Sequence, residues 1–206
     1  VTPVDLQRVE VDGKRYYALP SGMRFKSVTT VLGEKLDKSW LVSWRERVGN
    51  EQADLIMKRA AARGTIVHSL AEKFMSNKDI GSANPVHLYA FEGAARHLRE
   101  RVSSVLGIEL PLYSKFLRCA GTADLVCYYD GEPTVVDFKT SLRLKDEERI
   151  ESYFLQSACY SMMFSHLYQI PVRQFVVLIC ADHEPVQVFK KDVSSFVERV
   201  VSVFRE

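Results

Sequence analysis

The sequence predicts an α/β fold in which a central mixed β-sheet is flanked by helices and preceded by a helical elaboration, and three observations carry this. Strand-forming runs broken by turn residues occupy 7–19, 109–139 and 173–190. Segments with helical apolar periodicity lie between and around them, at 51–76, 86–105 and 147–168. The chain has 206 residues and a net charge of +2, enough to bury one proper core with no global field of either sign.

Each element has its own reason. Residues 7–19 read as a hairpin around Asp12-Gly13, closed by Pro20-Ser21-Gly22. A short helix opens at Ser27 and runs to Leu32. A second covers 39–48, with Trp40 and Trp44 four residues apart, and a third covers 51–76 with a break expected at Gly64. Residues 76–85 are a turn-rich loop, and 86–105 are helical up to Gly107. A strand follows at 109–117, then strands at 122–129 and 134–139, a helix at 147–168, strands at 173–181 and 185–190, and a helix to the end. The chain is read as one domain, with residues 1–105 supplying the hairpin and helices and 106–206 the sheet-centred core.

The turn Asp130-Gly131-Glu132-Pro133 sets the most informative register. A loop symmetric about Asp130-Gly131 makes paired positions sum to 261, so Asp124 faces Asp137. Pro133 cannot donate to a ladder and favours a four-residue loop over a two-residue one. Alternation puts Val135, Asp137 and Lys139 on one face of their strand, with Val136 and Phe138 on the other. Opposed carboxylates repel unless a cation lies between them, so the pair reads either as a hard-metal site or as a solvated sheet face with a Lys/Asp salt bridge.

Other residues are candidates of the same kind. His68, in RGTIVHSLAEKF, offers an imidazole to a metal or forms a surface pair with Glu72. Glu109 is a third carboxylate or a solvated strand end. Gln156 and Tyr160 share one helix face, and Thr140, Ser141, Arg143 and Lys145 suit phosphate contacts or a polar loop. Cys119, Cys127, Cys159 and Cys180 lie far apart in apolar segments, without a CxxC pair, and read as buried free thiols. No apolar run has the length of a membrane span and residues 1–10 lack a signal-peptide core, so a soluble, intracellular protein is expected; the missing initial Met leaves room for a removed start, tag or targeting segment.

Together, His68, Glu109, Gly121-Thr122-Ala123-Asp124, Val135-Val136-Asp137-Phe138-Lys139-Thr140, and Gln156 with Tyr160 resemble the PD-(D/E)XK nuclease superfamily in its RecB-type exonuclease branch. The resemblance is greatest to mitochondrial genome maintenance exonucleases and compact phage or bacterial relatives, and reaches upstream to Ser27-Val28-Thr29, Trp44-Arg45 and Arg63-Gly64. It implies a restriction-endonuclease-like core. It also implies that Asp124, Asp137 and the Phe138 main-chain carbonyl bind one or two Mg²⁺ or Mn²⁺ ions, completed or extended by His68 and Glu109. Lys139 would orient or deprotonate the attacking water, and Gln156 and Tyr160 would steady the lysine or the phosphate. The iron–sulfur members carry one upstream cysteine and a close C-terminal group; here none precedes His68 and Cys180 is the last, so no cluster is expected.

The implied substrate is DNA, as single strands or ends, contacted by Arg45, Arg63, Thr140, Ser141, Arg143 and Lys145. Lys35, Lys38, Arg47, Lys58 and Arg59 add cations, and Trp40, Trp44 and Tyr153 are candidate stacking groups, unless the tryptophans are core and the cations a solvated face. The leading expectation is a metal-dependent exonuclease, monomeric and cytoplasmic in a bacterium or phage, or organellar. The alternatives are a duplex-end resecting exonuclease, a structure-specific endonuclease, or an inactive DNA-binding recombination accessory protein.

Overall fold

The structure is a computed structural model that describes residues 1–81 and 84–205. Residues 82 and 83, inside the expected 76–85 loop, and Glu206, in the expected terminal helix, lie outside the described residues. Among the described residues, eight strands form one mixed sheet covered by helices, as the α/β reading expects.

Strands β1 (Gln7–Val11) and β2 (Lys14–Ala18) pair across Asp12-Gly13, both of which take positive φ. The sequence reading has no strand at β3 (Arg24–Ser27). Four residues are too few for alternation to be distinctive, and β3 is held by β2 on one side and by β5 on the other. Ser27 then caps α1 (Val28–Lys35), its hydroxyl accepting the Thr30 amide at 3.0 Å.

Helices α2 (Ser39–Val48) and α3 (Asn50–Met75) follow. The break expected at Gly64 does not occur: the glycine sits mid-helix where α3 crosses the sheet, its Cβ position 3.9 Å from the Thr140 hydroxyl. Helix α2 buries none of its residues and Trp40 is 67% exposed, so that tryptophan is not core. Helix α4 (Pro85–Arg101) passes straight into β4 (Val102–Ser114), a strand that starts well before the expected 109. Residues 102–105 look helical by periodicity, but pairing with Tyr129, Tyr128 and Cys127 satisfies their backbone, with two register shifts absorbing the misfit.

Strands β5 (Cys119–Tyr129) and β6 (Glu132–Ser141) form the central hairpin. After a 3₁₀ turn at Glu147–Arg149 come α5 (Glu151–Tyr168), β7 (Gln174–Ala181), β8 (Gln187–Asp192) and α6 (Val197–Arg205). One face of the sheet packs on α1, α5 and α6 through Val135, Phe164, Phe175, Val177 and Val200; the other packs on α3 and α4 through Leu70, Phe91, Leu98, Val136 and Phe138. The four cysteines are buried in these two cores. Among the described residues no helix is long and apolar enough to cross a membrane.

Candidate active site

The central hairpin has the register that sums to 261, running from Tyr129 opposite Glu132 to Leu125 opposite Val136. Its loop is the two-residue form, with both Asp130 and Gly131 at positive φ, and Pro133 lies inside β6 opposite Tyr128. The four-residue loop favoured by the proline is therefore wrong. Because hydrogen-bonding direction alternates along a strand, the Pro133 nitrogen points away from β5, where β7 has not yet begun; its first pair is Thr134 with Gln174.

The ladder stops just before Asp124 and Asp137. Strand β4 occupies one edge of β5 along its length. The other edge is bonded to β6 as far as Leu125, and to β3 at Cys119 and Ala120. Beyond Val136, β6 continues on β7. The two aspartates thus stand at a fork, and the sheet opens between them.

The fork lets side chains from both faces meet. From α3, His68 brings Nδ1 to 3.4 Å from Asp124 Oδ1, with its ring edge-on to Phe138. From β4, Glu109 reaches the same place, its backbone in the left-handed region at φ 44°. His68, Glu109 and Asp124 each offer a ligand atom within 4.8 Å of the others, a group able to hold a metal ion. The Phe138 amide donates to Asp124 Oδ2 at 2.8 Å. In an extended strand N–H and C=O of one residue share an edge, so the Phe138 carbonyl also faces β5.

On the other face Asp137 forms an ion pair with Lys139, and the Lys139 ammonium stands 5.2 Å from the centre of the Tyr153 ring. Asp137 is 1% exposed, and its Oδ1 is buried without a hydrogen-bond partner. A buried, under-satisfied carboxylate beside a second acidic centre is what a divalent cation would compensate, so the donor set fits Mg²⁺ or Mn²⁺. Gln156 and Tyr160 reach the cleft from α5. Tyr160 lies against Gly121, which has no side chain to keep it away.

Charge in the fork is strongly perturbed. Burial pushes Asp137 up to about 6, with Lys139 opposing and Asp124 adding to the rise. Glu109 is solvent-exposed over part of its side chain, yet burial of its carboxyl end and the Asp124 charge push it up to about 7. Burial works against charge at both His68 and Asp124, but their mutual hydrogen bond and attraction outweigh it, raising the imidazole and lowering the carboxyl.

A cleft of about 1680 Å³ opens above these groups. Of the expected DNA contacts, Arg143 and Lys145 line it. Arg45 is engaged with Asp54 at 2.6 Å and Arg63 with Asp182 at 3.4 Å. Thr140 lies beside Gly64, and Ser141 is buried, its hydroxyl accepting the Arg143 amide. The sequence reading missed Arg8, Arg15, Tyr17, Arg149 and Arg199, which also line the cleft. No local signal marks them: the first hairpin, with Arg8, Arg15 and Tyr17, comes to the site only through the β3–β5 pairing, and Arg149 and Arg199 lie in the 3₁₀ turn and α6.

No protein-family model and no curated protein sequence matches the chain. Among solved structures, one from Eubacterium rectale described as "Putative exonuclease" is similar over 69% of this chain and 68% of that one, at 12% identity and a TM-score of 0.43. A likeness at that level carries no weight for function, which rests on the geometry of the fork.

Proposed function

We propose that this chain is a metal-dependent nuclease that hydrolyses DNA phosphodiester bonds, acting as an exonuclease on single strands or DNA ends, and that it belongs with the RecB-type PD-(D/E)XK enzymes it resembles. One observation carries the reading: the sheet forks at Asp124 and Asp137, and a histidine, a third carboxylate and a lysine converge there from both faces.

Asp124, Asp137, His68, Glu109 and the Phe138 carbonyl would hold Mg²⁺ or Mn²⁺. Such an ion, when bound, makes water a better nucleophile at neutral pH and offsets charge developing on the phosphate. The chain's own groups do the rest. Lys139, fixed by Asp137 and the Tyr153 ring, orients the attacking water against the scissile phosphate. Gln156 and Tyr160 hydrogen-bond a phosphate oxygen, preorganised because α5 is packed on the sheet. Arg143, Lys145 and Arg149 neutralise neighbouring phosphates along the cleft.

The test uses single-stranded and duplex DNA labelled at either end, together with closed circular single strands, incubated with Mg²⁺ or Mn²⁺ beside the Lys139→Ala protein. Linear DNA should shorten from an end, circles should survive, and Lys139→Ala should be inactive. Cutting of circles would make the protein an endonuclease. Binding without cleavage under either metal would make it an accessory DNA-binding protein and overturn the reading.

A further inference from the structure

The segment that follows the lysine strand has a feature the proposed chemistry does not use. Leu142 and Leu144 are 60% and 51% exposed, alternating with Arg143 and Lys145. The backbone carrying them is held in place. The Asp182 amide donates to the Ser141 carbonyl at 3.1 Å, and the Arg143 amide to the Ser141 hydroxyl at 3.4 Å. At the far end Gln187 clamps Lys145 from both sides, its Oε1 accepting the Lys145 amide at 2.7 Å and its Nε2 donating to the Lys145 carbonyl at 3.0 Å. The following 3₁₀ turn is tied to β8 by the Glu147–Lys191 ion pair. Two apolar side chains are therefore presented to water on an anchored loop: Leu144 lines the cleft with Arg143, Lys145 and Trp40 of α2, and Leu142 precedes them in the chain just outside the lining.

The floor of that cleft is recessed. Tyr160 is almost fully buried, and Lys139 is mostly so. A single strand can lay a phosphate on such a floor, whereas a duplex has to part first. Parting costs unstacking energy, and apolar side chains inserted against the exposed base faces offset it. Cations beside them hold the separated backbones.

We propose that Leu142 and Leu144 form a wedge that splits the terminal base pairs of duplex DNA, feeding one strand to the fork while Arg143 and Lys145 hold its phosphates. This deepens the nuclease reading and rests on it. The partner is a duplex DNA end, recognised by base faces and phosphates rather than by sequence.

The experiment measures the initial rate on a blunt duplex, on the same duplex with several mismatched pairs splaying its end, and on the labelled strand alone. Wild type is compared with the Leu142→Ala/Leu144→Ala and Leu142→Ser/Leu144→Ser proteins, each checked for an unchanged melting temperature. The blunt-to-single-strand rate ratio should fall at least tenfold in both variants, and splaying the end should restore it. An unchanged ratio, or a fallen ratio that splaying does not restore, overturns the wedge. Wild type that degrades single strands but never blunt ends overturns the wedge and leaves the nuclease reading standing, whereas wild type that cleaves nothing removes the nuclease reading itself.

Discussion

The ring of Tyr160 packs on Gly121 so closely that a Cβ at 121 would stand 2.5 Å from the tyrosine oxygen and 2.7 Å from Cε1. Both residues are buried, so neither has room to move aside. Gly121→Ala should therefore cost about 1–3 kcal/mol by overpacking and displace Tyr160 from the cleft. Tyr160→Phe should not relieve the loss, since the ring carbon clashes as well. Tyr160→Leu in the alanine background should recover part of it. Thermal melts of wild type, Gly121→Ala, Tyr160→Leu and the Gly121→Ala/Tyr160→Leu protein measure the coupling, and a Gly121→Ala protein that melts with wild type would refute the contact.

Asp137→Ala relieves an unpartnered buried oxygen but leaves Lys139 without its ion-pair partner, so the metal-free protein should melt at a lower temperature yet keep the far-ultraviolet circular dichroism spectrum of a folded chain. Cleavage should fall about a thousandfold or more, equivalent to ~4 kcal/mol of barrier. Near wild-type activity in a single-turnover assay would sink the role given to this residue.

Asp130-Gly131 fixes the aspartate register, because a loop symmetric about it gives the same pairing with two residues or four, and a slip would turn Asp137 away. For His68 the residues alone leave a metal ligand and a surface pair with Glu72 both open, and only the resemblance points to the site. The fork is not legible in the sequence, because it arises where β6 leaves β5 for β7 while β3 arrives from the other end of the sequence. Arg63 looks like a free cation in the sequence because its partner, Asp182, lies 119 residues away. Local pattern reaches the hairpin and the helices; nonlocal pairing decides which charges are left over for a ligand.

The acidic centre makes stability without metal depend on pH. Asp137 is held up to about 6 against an ordinary 3.8, and Glu109 up to about 7 against 4.5, while His68 is raised above 6.5. All three bind protons more tightly folded than unfolded, so stability falls as pH rises through that window. Asp124 and Glu34 are lowered and act in the opposite sense below about pH 5, and His97, lowered by burial and by Arg101, is one opposing group within the window, set against three. In chelator the melting temperature should therefore drop between pH 5 and 7.5, with Asp137 alone contributing on the order of 1 kcal/mol over that window. Mn²⁺ should raise it more at pH 7.5 than at pH 5. Calorimetry that shows a flat profile in chelator would rule this out.

Arg63 and Asp182 join α3 to the end of β7, five residues from His68. Their ion pair is 3.4 Å long, both side chains are mostly buried, and Arg63 Nε and Asp182 Oδ1 lack hydrogen-bond partners. Removing one member strands a desolvated charge, so Arg63→Met should cost about 3 kcal/mol in urea denaturation. Arg63→Met with Asp182→Leu should recover most of that, because a buried pair is often replaceable by apolar packing. Metal affinity gives the second readout. If the pair braces α3, the single substitution should weaken Mn²⁺ binding at His68 and the double restore it. If instead Arg63 touches phosphate, the single substitution should leave stability and metal binding unchanged while reducing the salt slope of DNA binding.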